Sequence, residues 1–176
     1  AKNFTVSDII SLVPTTSHSK VLQAASVAVS QNPSAINTEL QIEFGPAQTT
    51  TNVSLSLAGT LTFNVAGDYT IEFNATTSSG VGVINKKSII MLGIKSNGAY
   101  FGVPVGYQTA LNASNSFTQT RSNTFNYTAL AADTLEFFVF RDGFGDNVGG
   151  LANLRINGGP LPQEVASASL IVSKLS

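Results

Sequence analysis

The stretch Gly59–Thr76, GTLTFNVAGDYTIEFNAT, leaves this chain little choice of fold. Two runs, Thr60–Val65 and Asp68–Ala75, flank the pair Ala66-Gly67, which reads as the turn of a hairpin. In the second run Tyr69, Ile71, Phe73 and Ala75 fall on one side, and Thr70, Glu72, Asn74 and Thr76 on the other. Successive side chains of a strand point to opposite faces, so this is a strand with one buried and one polar face.

The pattern recurs along the chain. Leu40, Ile42 and Phe44 share a face in Leu40–Phe44, and Val53, Leu55 and Leu57 alternate with serines. Val83–Lys95 contains the nearly continuous apolar run SIIMLGI, and Asn97-Gly98 after it is the clearest two-residue hairpin signal present. Tyr100–Tyr107 carries Gly and Pro interruptions that suit a bent or edge segment. Asn112–Asn126 reads as a strand with a polar outer face or as a long loop. Leu151, Leu154 and Ile156 suit one strand, and Ala166–Leu175 suits the last. These make about eight to ten short strands, with no convincing helix after residue 30 and no internal repeat. The expectation is an all-β antiparallel β-sandwich or jelly roll.

Thr134–Arg141, TLEFFVFR, adds a constraint on assembly. Leu135, Phe137 and Val139 lie on one face, Phe138 and Phe140 on the other. A strand apolar on both faces must be covered on both. A second subunit is the economical cover, which makes Phe138 and Phe140 candidate interface residues. Composition points the same way. Only 11% of the residues are charged, against about a quarter in an average domain. With 9 basic and 10 acidic residues the net charge is −1. Such a surface has no electrostatic draw toward nucleic acid or anionic membrane. It suits cover by sister subunits, and a merely hydroxyl- and amide-rich surface is the other reading.

At 176 residues, 43% of them hydrophobic, the chain suits one domain with a proper core. Residues 1–33 differ from the rest and read as an N-terminal arm or neck, with 34–176 as the head and the boundary near Gln31–Ser34. No cysteine is present, so disulfides and thiolate metal sites are excluded. No apolar run approaches the roughly 20 residues of a membrane span, so membrane insertion is not expected. The start, Ala-Lys-Asn, suggests a fragment or a processed product.

The residues name no reaction. His18 is the sole histidine and lies in a polar turn, with no pattern that sets a nucleophile beside it. There is no HExxH and no Cys/His cluster. Glu72 and Glu136 sit singly in strands, which suits neither acid–base pairs nor glycoside chemistry. In DGFGDN, Asp142, Asp146 and Asn147 could ligate Ca²⁺. The run lacks the spacing and closing Glu of an EF-hand, and a tight turn is the other reading. No cofactor and no enzymatic activity are expected. Sequons stand at Asn3, Asn52, Asn74, Asn112 and Asn126, as chance allows in a chain so rich in Asn, Ser and Thr. Binding is expected in loops: Ser78–Val83, Asn97–Tyr107 and Asp142–Gly150, with Asn97, Tyr100, Tyr107, Asp142 and Phe144 as candidates.

The order of motifs resembles the trimeric jelly roll of the TNF superfamily and of complement globular heads, over roughly residues 40–176. One piece is F-x-x-x-G-x-Y-x-I-x-F, here Phe63, Gly67, Tyr69, Ile71 and Phe73. Another is Leu130-Ala-Ala-Asp133-Thr-Leu135, similar to the Leu-x-x-Gly-Asp-x-Leu that leads into an inner strand of that family. The third is the terminal ASASLIVSKL. Ala132 departs from the family's glycine before Asp133, and the disulfides of some relatives are absent. The resemblance implies a TNF-like homotrimer. Gly59–Thr76, Thr134–Arg141 and Ala166–Leu175 would be its inner-sheet strands, with Thr70 and Glu72 toward the axis. Disulfide-free, Ser/Thr/Asn-rich versions of this module stand on phage and virus spikes, those of tectivirus-type phages among them. On that resemblance the chain is a virion-surface spike head at a capsid vertex. Its partners would be itself, other vertex proteins and a host surface receptor. The alternatives are a secreted or cell-surface cytokine-like ligand with a protein receptor, and a carbohydrate-binding jelly roll, which the absence of Trp disfavours.

Overall fold

The computed structural model describes residues 18–27, 31–78, 86–102, 105–110, 118–152, 154–156 and 163–175. These residues form strands and turns and no helix. Strands are numbered in chain order. The first sheet joins β1 (His18–Ser26), β3 (Phe44–Gly45), β7 (Gly67–Ser78), β11 (Thr118–Ala129), β13 (Gly150–Leu151) and β16 (Ala168–Leu175). Its order is β11-β7-β16-β1-β3, with β13 also on β7. The second joins β2 (Leu40–Gln41), β4 (Gln48–Thr49), β5 (Val53–Leu55), β6 (Thr60–Phe63), β8 (Lys87–Ser96), β9 (Ala99–Tyr100), β10 (Val105–Ala110) and β12 (Thr134–Arg141). Its order is β10-β8-β12-β6-β5-β4, with β2 on β12 and β9 on β8. β14 (Leu154–Ile156) and β15 (Gln163–Val165) pair separately. All strand pairs are antiparallel, and the two main sheets face each other over one core, as in a sandwich.

Two aromatic groups bridge the sheets. Phe44 and Phe73 of the first sheet meet Phe137 of the second, with ring centroids 6.0 and 4.8 Å from it. Phe63 of the second meets Tyr69 and Tyr127 of the first at 4.7 and 5.1 Å. The alternation of β7 holds throughout: Tyr69, Ile71, Phe73 and Ala75 are buried, and Thr70, Glu72, Asn74 and Thr76 face outward.

The pairing differs from the sequence expectation in three places. Ala66-Gly67 does not close a hairpin. β6 pairs with β5 and β12, whereas β7 pairs with β11 and β16. The turn carries the chain from one sheet to the other, so that the apolar faces of the two strands bury each other across the core. The Tyr69 hydroxyl donates to Val65 O at 2.7 Å and pins this corner. Leu40–Phe44 likewise switches sheets. β2 lies on β12 and β3 on β1, with Ile42 N donating to Phe137 O between them. At that crossing Gly59 packs so closely, at φ 86°, that a Cβ would lie 1.9 Å from Ile42 O.

The third difference concerns β12. It lies between β8 and β6 in the second sheet, not beside β7 and β16. Its outward Phe138 is nevertheless only 8% exposed. The cover comes from its own chain: the Lys95 ammonium sits 4.6 Å from the centre of the Phe138 ring. A second subunit is not required to cover it. Residues 18–26 of the expected arm are also part of the sheet, with Leu22 and Ala24 in the core. Residues 1–17 and 28–30 lie outside the described residues. Several of the sixteen described strands have two or three residues, and two of them, β2 and β3, arise because sheet switching divides the single run Leu40–Phe44.

Candidate functional site

The outer face of the first sheet is built by strand register. One row across it reads Gln23, Ile171, Glu72, Thr124, and the next reads Ala25, Ser169, Asn74, Ser122. On the other side of Glu72 the row is Lys20, Ser173, Thr70, Asn126. Cross-strand hydrogen bonds tie the polar positions together. Thr70 Oγ1 donates to Asn126 Oδ1 at 3.0 Å, Asn74 Nδ2 to Ser169 Oγ at 3.3 Å, and the Thr76 and Thr120 hydroxyls meet at 2.8 Å. Glu72 is the one carboxylate in these rows. The Lys20 ammonium is held by Gln23 Oε1 at 2.8 Å. A shallow depression of about 240 Å³, lined by Ala25, Asn74, Thr76, Thr120, Ser167 and Ser169 among others, opens on the same face. The surface offers neutral hydroxyls and amides, which suit contact with another uncharged surface.

Phe138 and Phe140, expected to share an interface with Thr70 and Glu72, lie on the outer face of the opposite sheet. The two halves of that expected interface point away from each other.

A second cluster surrounds the β8–β9 hairpin. Asn97 and Gly98 have φ of 50° and 79°, the left-handed pair of a type I′ turn. Asn97 is a structural residue: its Nδ2 donates to Asp133 Oδ1 at 2.9 Å, and its Oδ1 accepts from Thr134 N at 2.8 Å. Tyr100 is 44% exposed and donates to Glu39, which also accepts from the Lys95 ammonium. Lys95 lies over the Tyr100 ring as well, 5.0 Å from its centre. Burial, then the bond to Glu39, push the Tyr100 hydroxyl up to about 12. Burial alone would raise Glu39, but the bonds from Lys95 and Tyr100 outweigh it and hold Glu39 below the usual carboxylate range. Phe101, 40% exposed, extends the cluster by packing on Phe125 and Tyr127.

Asp133 closes the neighbouring turn. The Leu130 amide, and then Asn97, hold its carboxyl below its ordinary value of 3.8. A depressed carboxyl contributes stability above its ordinary value and loses it as pH falls through the folded value. The turn is therefore expected to loosen below about pH 4. Amide exchange at Leu130 followed from pH 6 to 2 checks this, and an acid response unchanged in Asp133→Asn would refute it. In the same turn Ala132 has φ 73°, a conformation costly for any residue with a Cβ. Ala132→Gly should raise stability by about 0.5–1 kcal/mol, after allowing for the greater freedom of glycine in the unfolded chain. A lower urea midpoint for that variant would contradict it.

The Asp142–Gly150 segment is a hydrogen-bonded turn. Asp142 Oδ1 accepts from Phe144 N at 2.8 Å. Asp146 Oδ2 accepts from Lys87 N at 2.7 Å, and its Oδ1 pairs with Lys86 at 3.5 Å. The Lys87 amide first, and Lys86 after it, keep Asp146 below the usual range. Asn147 Oδ1 accepts from Arg141 at 2.6 Å. The three oxygen donors considered for calcium thus each serve a different bond. Among the described residues no three His, Cys, Asp or Glu gather to hold a metal. Phe144 stands 87% exposed at the tip.

No protein-family model matches the chain, and no curated protein matches it.

Of the remaining candidates, Tyr107 lies in β10 and its side chain is outside what is described, as is Ser78–Val83 beyond Ser78. His18 is exposed at the start of β1. Arg141, Glu39 and Lys95 are organising residues that the sequence does not reveal. A lone Arg or Lys at the end of an apolar strand looks like a solvated strand end.

Proposed function

We propose that the chain is the non-enzymatic head of a virion spike or fibre, a homotrimer at a capsid vertex that contributes to host attachment. The carrying observation is the strand order, β3-β1-β16-β7-β11 facing β4-β5-β6-β12-β8-β10. The chain passes repeatedly between the sheets, from β6 to β7, to β8, to β11, to β12 and to β16, which supports reading the sandwich as a TNF-like jelly roll. Ala132, at φ 73°, stands where the resemblance expects glycine and has a glycine-like backbone. The disulfide-free, Ser/Thr/Asn-rich composition agrees with spike heads of the tectivirus type. The outer face of the first sheet, mostly hydroxyls and amides with Glu72, Lys20 and Asp68 among them, is the surface we assign to the trimer contact. Exposed Tyr100 and Phe144 are left for other vertex proteins or a host receptor.

Sedimentation equilibrium at micromolar concentration tests the reading. A trimer is expected, and Asn74→Lys, which sets a charge in the middle of the assigned contact, should dissociate it. A wild-type chain that sediments as a monomer would overturn the proposal.

A further inference from the structure

We infer that assembly through the outer face of the first sheet is linked to proton uptake by Glu72. The inference rests on the trimer reading above. Glu72 is half-buried in the middle of that face, between Thr124 of β11 and Ile171 of β16. Among the described residues the charged groups that face it are few. From β1 they are Lys20, whose ammonium is held by Gln23, and His18 at the strand's start. From β7 itself there is Asp68, which accepts from Thr128 Oγ1 at 2.6 Å. β16 and β11 present hydroxyl, amide and apolar side chains on this face. Lys174 of β16 turns to Asn52 and the Tyr69 ring, and Arg121 of β11 lies opposite Ala75 on the inner side.

A second copy laid on this surface strips water from the Glu72 carboxylate. Among the described residues the one lysine on this face, Lys20, is bonded to Gln23 and separated from Glu72 by β16, so no cation adjoins the carboxylate to replace that water, and by symmetry every copy brings the same carboxylate. An ionised carboxyl buried without a partner is far more costly than its protonated form. The protonated form can also donate to the hydroxyls and amides that dominate the face. Association therefore favours the protonated acid. It should strengthen as pH falls and weaken as pH rises.

Sedimentation equilibrium between pH 7.5 and 5 reads this directly. For each proton taken up on assembly, the association constant should rise about tenfold per pH unit on acidification. Glu72→Gln should assemble at pH 7.5 as tightly as the wild type at pH 5, with no slope. His18→Gln in both backgrounds removes the chain's one histidine as a competing source of the slope. If assembly is too tight to dissociate on dilution, the urea midpoint for dissociation gives the same comparison. A trimer whose pH response survives in Glu72→Gln, or a wild-type trimer with no response, overturns this inference and leaves the trimer reading standing. A monomer at every pH overturns both.

Discussion

Phe137→Ala is expected to remove a large part of the stability of this fold. Phe137 has no exposed surface and comes from the middle of β12. Its ring lies between Phe44 and Phe73, which come from the other sheet. Truncation loses the transfer energy of the phenyl group and leaves a void that two facing sheets cannot close without shifting register. Such substitutions typically cost about 3–5 kcal/mol, against a total of about 5–15 kcal/mol for a natural domain. With a urea dependence of about 2 kcal/mol/M, the unfolding midpoint should fall by about 2 M. Phe140→Ala, on the half-buried outer face of the same strand, is the internal comparison and should cost far less. Measuring both variants at one protein concentration keeps assembly from confusing the result. Equal losses for the two would mean that β12 does not have a distinct core face.

That contrast marks how far the sequence can be read. Which side of β7 faces the core follows from period-two alternation, because consecutive Cβ atoms on a strand must point to opposite faces. Which strand lies beside which does not follow. Ala66-Gly67 has the chemistry of a turn, and turn chemistry is the same whether the next strand pairs with the last or crosses to the facing sheet. The choice is made by the partners β11, β16 and β12, which are distant in sequence. Leu40–Phe44 shows the same limit, since its unbroken alternation conceals a change of sheet.

The apolar outer side of TLEFFVFR was legible as a surface needing cover, but the identity of the cover was not. Lysine counts as charged in any reading of the sequence. Its methylene stem and ammonium can nevertheless lie over aromatic rings, as Lys95 does over Phe138 and Tyr100. The candidate sites divide along the same line. Asn97-Gly98 was readable as a turn because only the local backbone matters there. The polar face of Thr70, Glu72 and Asn74 became a surface only when β16 and β11 supplied its neighbours.

Arg141→Met should be the second large perturbation, for a reason no local pattern carries. Arg141 as a whole is 7% exposed, and its guanidinium has no carboxylate partner among the described residues. Its Nε donates to Gly149 O at 2.7 Å, and Nη1 donates to Pro33 O at 2.5 Å and to Asn147 Oδ1 at 2.6 Å. Burial pulls the group below its ordinary value, but an arginine stays charged throughout the accessible range. The charge is therefore balanced by oriented neutral oxygens, and those oxygens come from two segments far apart in the chain. Asn37 N donates back to Arg141 O at 2.7 Å, which closes the link between residues 33–37 and the turn after β12. Methionine keeps most of the volume and removes every donor. Hydrogen bonds to a charged group contribute about 1.5–3 kcal/mol each, and part of that is returned when the charge no longer needs burying. A net loss of about 2–3 kcal/mol is expected. It should be accompanied by faster amide exchange at Gly145, Asp146 and Val148, whose backbone bonds belong to the same turn. Arg141→Lys should recover little, because a single ammonium cannot serve oxygens that diverge around a planar fork. If Arg141→Met matched the wild type in both midpoint and exchange, the turn that presents Phe144 would be rigid for some other reason. Arg141 would then be a tolerated buried charge and not the clamp its three bonds describe.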